Sequence, residues 1–216
     1  DYAVVFENVA MRYQSGGAPA VSGIDFKVRH GETVGIIGGT GSGKSTIINL
    51  IPRFYDTSEG RVLVDGQDVR EYTFEGLRDK IGIVPQKAVL FAGTIRDNMK
   101  WGKQDATDEE IWEAMTLAQA SEFVEQKDGR LDAEVEQGGR NFSGGQKQRL
   151  TIARALVKQP EILILDDSAS ALDYATDAKL RQSIRSMKSD PTVFIVSQRA
   201  ASILHADQIV VLDDGA

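Results

Sequence analysis

Eight residues, Gly38-Gly39-Thr40-Gly41-Ser42-Gly43-Lys44-Ser45, constrain the fold of this chain more than any other stretch. They satisfy the pattern G-x-x-x-x-G-K-[ST] at every fixed position. An apolar run, Thr33 to Ile37, precedes them, and a helical run, Thr46 to Ile51, follows and is stopped by Pro52. Strand, glycine-rich loop and helix in that order is the context the pattern requires. Glycines let backbone N–H groups turn toward phosphate oxygens, and the helix start adds partial positive charge. Lys44 then reaches the outer phosphates, and the Ser45 hydroxyl suits Mg²⁺. A glycine turn without a ligand needs neither the Lys-Ser pair nor these flanks. The expectation is an α/β core that binds a nucleoside triphosphate.

At 216 residues the chain is long enough for a full core, as one domain or one domain with a lobe. Its hydrophobic and charged fractions, 41% and 26%, are those of a soluble globular protein. No apolar stretch approaches the roughly 18 to 20 residues that cross a bilayer, and no signal-peptide pattern opens the chain. A first residue of Asp1 rather than Met leads us to expect a piece of a longer protein. With no cysteine there is no disulfide framework, which fits a reducing compartment. The net charge of −7 argues against nucleic acid as a partner. Between Asp105 and Gln137 eleven carboxylates face only Lys127 and Arg130. Such a run reads as a solvated helical face, and it offers no membrane anchor.

Residues 3 to 70 read as β-rich, with strands expected at Val4–Val9, Ile24–Val28 and Thr33–Ile37. Val62 to Val69 reads as a hairpin turned at Asp65-Gly66. Ile81 to Val84 is a further strand leading into Pro85-Gln86. From about Val89 to Lys158 the pattern turns helical and polar; Asp108 to Leu117 is amphipathic through Ile111, Trp112, Met115 and Leu117. Three short apolar runs then follow, Ile162–Leu165, Val193–Val196 and Ile209–Leu212. Unbroken runs like these are expected to be parallel strands buried on both faces. Helical stretches near Leu172–Met187 and Arg199–Leu204 separate them.

Asp166 ends the run Ile162-Leu163-Ile164-Leu165. Ligands of a parallel sheet lie at the carboxyl ends of its strands, so Asp166 should emerge beside the phosphate loop and hold Mg²⁺. Ser143 and Gln146, in Phe142-Ser143-Gly144-Gly145-Gln146, form a capping-box pattern ahead of a helix running to about Lys158. No cap requires two glycines in a first turn. Gly144 and Gly145 leave amides unshielded there, which makes a second anion site.

With the phosphate loop and the Ile162–Asp166 strand, the Ser-Gly-Gly-Gln segment at Asn141–Gln148 makes this chain resemble the ATP-binding cassette (ABC) domains of exporters. Phe142 replaces the usual leucine, and the resemblance covers essentially the whole chain. It implies one domain over 1–216, with a parallel-sheet phosphate-loop core, an N-terminal antiparallel β subdomain and an inserted helical subdomain. Core and β subdomain would take about 1–88 and 159–216, and the helical lobe about 89–158. By the same resemblance ATP and Mg²⁺ are the ligands. Gly39, Thr40, Gly41, Ser42, Gly43, Lys44, Ser45 and Thr46 cradle phosphate, and Tyr13 stacks on adenine. Ser45, Gln86 and Asp166 serve the metal, Gln86 also sensing a transmembrane domain. Ser143, Gly144, Gly145 and Gln146 close over ATP held by a partner domain. Ser170-Ala171-Leu172-Asp173 matches the loop that crosses to that partner. Two such domains associate head-to-tail at the cytoplasmic face of a membrane.

Two positions depart from the pattern. Efficient family members place Glu after the metal-binding Asp; here Asp167 stands there, one methylene shorter. Their switch histidine is Gln198, whose amide donates a hydrogen bond but carries no proton. Val135-Glu136-Gln137-Gly138-Gly139 also departs from the V-G-E-R-G of many exporters. Asp167, Gln198 and Lys44 serve this chain's own site, whereas the signature it lends is nearly intact. That distribution resembles the degenerate-site half of a heterodimeric exporter, with slow hydrolysis at its own loop. A regulatory ATP-dependent clamp and a soluble cassette ATPase unrelated to transport are the competing readings. The last predicts coiled coils or basic tracts, which this stretch lacks.

Overall fold

A computed structural model describes residues 1–39, 41–213 and 215–216. Its strands and α-helices, in chain order, are β1 Tyr2–Met11, β2 Val21–Arg29, β3 Thr33–Gly38, α1 Lys44–Leu50, β4 Glu59–Val64, β5 Gln67–Asp68, α2 Phe74–Arg78 and β6 Ile81–Val84. Then follow β7 Gly93–Thr94, α3 Ile95–Lys100, α4 Asp108–Leu117, α5 Ser121–Glu125, β8 Glu134–Val135, α6 Gly144–Leu156, β9 Ile162–Asp166, α7 Tyr174–Arg185, β10 Thr192–Val196, α8 Ala200–Ile203 and β11 Gln208–Leu212. They fall into two compact units, one of Asp1–Ile81, Glu161–Asp166 and Pro191–Ala216, the other of Gly82–Pro160 and Asp167–Asp190.

In the first unit an antiparallel sheet runs β2-β1-β4-β5. Phe6 and Phe26 face each other across β1 and β2 with ring centroids 4.6 Å apart. The β4–β5 hairpin turns at Asp65 (φ 52°) and Gly66 (φ 80°), both left-handed as the Asp-Gly pair demands of a two-residue turn. Its second layer is parallel, β11 beside β3, β3 beside β10 and β10 beside β9. Val34, Ile36, Leu163 and Phe194 in these strands are buried, together with Ile47 and Leu50 from α1 and Ile51 just after it. Each such side chain contributes about 1.5–3 kcal/mol when fully buried. Gly35 of β3 lets α8 sit close. A Cβ there would lie 2.9 Å from the Ile203 side chain.

The expectation that all three late strands are buried on both faces holds for β9 and β10 but not for β11. Among the described residues β11 pairs only with β3, so it is an edge strand, and Ile209 and Val211 are exposed at 48% and 63%. An edge strand packs on fewer neighbours, and an apolar run alone does not distinguish it from a central one.

The second unit is mainly helical. Thr94, Thr107 and Ser143 each cap a helix with a full capping box, for α3, α4 and α6. Helix α4 spans the expected residues, burying Ile111 and Met115. Ten of the eleven carboxylates from Asp105 to Glu136 are exposed; Glu110, less so, pairs with Lys103 at 2.5 Å. The acid is a solvated face.

Candidate nucleotide site

In the first unit β3 ends at Gly38, where the phosphate loop begins. Gly43, the N-cap of α1, has φ 97°, and a Cβ on it would stand 2.5 Å from the Val21 side chain and 3.0 Å from the Ala20 carbonyl. Only glycine fits there. Gly41 has φ 77° with open space around it. No side chain caps α1, so its first N–H groups are left for a ligand. The Ser42 hydroxyl is buried and has no hydrogen-bond partner among the described residues. Lys44 Nζ donates to the Gly38 carbonyl at 2.5 Å. A cavity of about 280 Å³ opens over this loop, lined by Tyr13, Ala20 and Gly41 to Thr46. A glycine cradle, an unclaimed hydroxyl and a lysine at its mouth suit a polyphosphate. Thr40 lies outside the described residues.

Register places Asp166 and the segment leading to Gln198, expected at the metal and switch positions, at the same edge. Val196 pairs with Asp166 on one side and with Ile36 on the other, at the carboxyl ends of β10, β9 and β3. Asp166 therefore closes β9 in the layer where β3 enters the phosphate loop. Gln198 follows β10 there and is exposed. Ser45 also keeps an exposed position. No cluster of three His, Cys, Asp or Glu that could hold a metal occurs among the described residues. Mg²⁺ takes one or two protein oxygens and completes its shell with water and substrate phosphate. Ser45 and Asp166 supply such oxygens.

Tyr13 is 54% exposed, and its hydroxyl is hydrogen-bonded to Thr46 Oγ1 at 2.6 Å. Its ring meets Tyr55 edge-on, with centroids 5.0 Å apart. Nothing in the spacing of the sequence points to Tyr55, because a turn after α1 brings it back.

The other expected residues belong to the second unit. Gln86 is exposed after β6 and Pro85. Ser143 Oγ accepts from the Gln146 N–H at 3.1 Å, and Gln146 Oε1 accepts from the Ser143 N–H at 3.1 Å. Gly144, at the first position of α6, is exposed. Gln148, which closes the Asn141–Gln148 segment but is given no role by the sequence, accepts from the Ala171 N–H at 3.0 Å. Arg149 donates to the Gln119 carbonyl at 3.1 Å and lies 4.8 Å over the Phe123 ring, and burial lowers its guanidinium pKa from the ordinary value. Asp173 caps α7 and accepts from the Thr176 N–H at 2.7 Å, a bond that holds its carboxyl below the usual range. Asp167, directly after β9, has φ 49°, a left-handed backbone that Asp tolerates better than most residues.

A parallel sheet whose carboxyl edge carries a glycine-cradled phosphate loop and a strand-ending aspartate defines a nucleoside-triphosphate-binding core of the phosphate-loop type. Residues 21–170 match the ABC transporter family, so the chain belongs to that family; its fold is that of the family's ATP-binding domain. Domains of this kind bind ATP, normally with Mg²⁺, and are ATPases. An uncharacterized ABC transporter ATP-binding protein of Mycobacterium bovis is 49% identical over 206 residues, covering 94% of this chain and 35% of that protein. YgaD of Bacillus subtilis, named for multidrug export as an ATP-binding/permease protein, is 43% identical over 212 residues, covering 98% and 37%. The structure of a bacterial Atm1-family ABC exporter with ATP bound superimposes with a TM-score of 0.93 at 41% identity, covering 98% of this chain and 37% of that one. The chain thus spans about a third of the length of the curated relatives it matches.

Proposed function

We propose that this chain is the ATP-binding motor domain of a membrane exporter, working head-to-tail with a second, non-identical ABC domain. It would work at the cytoplasmic face against a transmembrane domain. The similarity to an Atm1-family exporter over 98% of the chain supports the exporter reading. No helix among the described residues is long and apolar enough to cross a membrane, so on this reading the cargo path lies in other segments.

Gly39 to Thr46 cradle the phosphates, and Lys44 leaves the Gly38 carbonyl to balance charge on the outer ones. Tyr13 stacks on the base. Ser45, Asp166 and Gln86 hold Mg²⁺, which when bound neutralises phosphate charge during transfer. Ser143, Gly144, Gly145 and Gln146 close over the partner's ATP, carried on the helical lobe of about 89–158. The feature that carries the slow-site reading is in the sequence: Asp167 directly follows Asp166, where efficient members of the family have glutamate, and Gln198 follows β10 in place of their histidine. Asp167 is one methylene too short for the water a glutamate would orient. General-base assistance is worth roughly 10²- to 10⁴-fold, and a misplacement of about 1 Å removes much of it. The same shortness favours a second reading, an ATP-held clamp with little turnover.

Steady-state MgATP turnover of this chain beside an Asp167→Glu, Gln198→His double variant, with ATP affinity measured for both, tests the proposal. The double variant should gain at least about tenfold, near 1.4 kcal/mol of barrier, at unchanged affinity. Equal turnover would make Asp167 and Gln198 working substitutes and remove the need for a special partner.

A further inference from the structure

Tyr13 is more than half exposed, yet its ring is held at two places. One is the hydroxyl end, hydrogen-bonded to Thr46 Oγ1 at 2.6 Å. The other is the ring plane, set by the edge contact with Tyr55 at 5.0 Å and 88°. One holder lies in a short helix and the other in the turn just after it. Thr46 is buried in the first turn of α1, and Tyr55 lies in the turn that follows its end. That turn is fixed by its own bonds: the Phe54 N–H donates to the Asn49 carbonyl at 3.0 Å, and Arg53 Nε to Asp56 Oδ1 at 2.7 Å. The ring is thereby registered to the helix that begins at the phosphate loop, over the cavity it lines with Gly41 to Thr46. Tyr55 is itself 43% exposed, so burial of core surface does not account for the pair. A free exposed tyrosine forfeits side-chain entropy when it stacks on a ligand; a ring already held forfeits less.

We infer that Tyr55 is a positioning residue for the nucleobase: with Thr46 it presets the Tyr13 ring, so preference for ATP over bare polyphosphate depends on residue 55. This rests on the proposed stacking of Tyr13 on the base. The test is calorimetric titration of the chain with MgATP and, separately, with magnesium tripolyphosphate, which has no base to read. Tyr55→Leu should weaken ATP about three- to tenfold, the range an aromatic pair is worth, and leave tripolyphosphate unchanged. Tyr55→Phe, which keeps the ring, should restore ATP affinity. The inference is overturned if Tyr55→Leu leaves ATP unchanged, weakens both ligands equally, or is not rescued by phenylalanine. Tyr13→Leu tests the stacking separately. If it spares ATP, the base-stacking reading itself fails. If it weakens ATP while Tyr55→Leu does not, only the role of Tyr55 fails.

Discussion

Gln148, in the second turn of α6, accepts a hydrogen bond from the N–H of Ala171 at 3.0 Å, and its Nε2 lies 3.5 Å from Ser170 Oγ. Gly145, one turn earlier, makes room for the same segment: a Cβ there would stand 3.3 Å from the Ala171 carbonyl. The start of α6 and the Ser170–Asp173 loop are thus one mechanical piece within the second unit. On the resemblance, the first part closes over a partner's nucleotide and the second crosses to that partner.

Replacing Gln148 with leucine keeps the bulk and removes the acceptor. The Ala171 N–H then loses its bond, at a cost of about 1–3 kcal/mol. Two readouts should agree: a lower midpoint in urea and faster amide exchange at Ala171. Unchanged exchange there would mean that the loop is held by its own turn.

At the phosphate loop the glycines are not equivalent. An alanine at 43 meets both a left-handed backbone and the Val21 and Ala20 atoms, for a loss of about 3 kcal/mol or more. At 41, where nothing lies within 4 Å, the same change carries backbone strain alone, about 1–2 kcal/mol. Thermal unfolding should therefore fall further for Gly43→Ala than for Gly41→Ala; the reverse order would contradict the packing described here.

On the proposed function, the left-handed Asp167 sets stability against turnover. Its short carboxylate can relieve a positive φ through local hydrogen bonds, which a glutamate does less well. Asp167→Glu should lower unfolding stability by about 1 kcal/mol even as the double variant with Gln198→His gains rate. Denaturant unfolding of the single variant, compared with the native chain, measures this. A glutamate variant as stable as the native chain would show that the site carries no such strain.

Asp173 gives a pH dependence with a defined sign. Because capping of α7 lowers its carboxyl pKa, the charge contributes stability above the unfolded-state value, about 3.9. That contribution is lost as pH falls below this value and through the lower folded-state one. Asp173→Asn keeps an acceptor that does not titrate. The native chain should be the more stable of the two at pH 7, and the gap should close below about pH 4. A gap independent of pH in urea titrations would remove the charge from the account.

The legible parts of this molecule are those that local chemistry decides. Asp65-Gly66 announced its hairpin, Ser143 and Gln146 their cap, and the apolar runs around Leu163 and Ile195 their buried strands. The glycine pattern from Gly38 to Ser45 named its ligand class unaided. What stayed hidden depends on contacts between distant segments. Whether an apolar run is central or an edge is decided by its neighbours, so Ile209 and Val211 read as core and are not. The cap of α3 by Thr94 and Asp97 uses an aspartate where the usual pattern has Glu or Gln. The hold of Tyr55 on Tyr13, and of Gln148 on Ala171, joins residues with no shared period. The positive φ of Asp167 has no sequence mark beyond the residue's tolerance for it.

Gly35 shows how far from the chemistry a site can be tuned. It lies inside β3, and its missing side chain sets the height at which Ile203, and with it α8, rides over the sheet. The segment from Ser197 to Arg199 links β10 to that helix, and Gln198 is its middle residue. On the proposed function, the reach of Gln198 toward a phosphate would be adjusted from beneath, like a lever raised by a shim. Substitutions that alter turnover without touching the nucleotide have a natural address at residue 35.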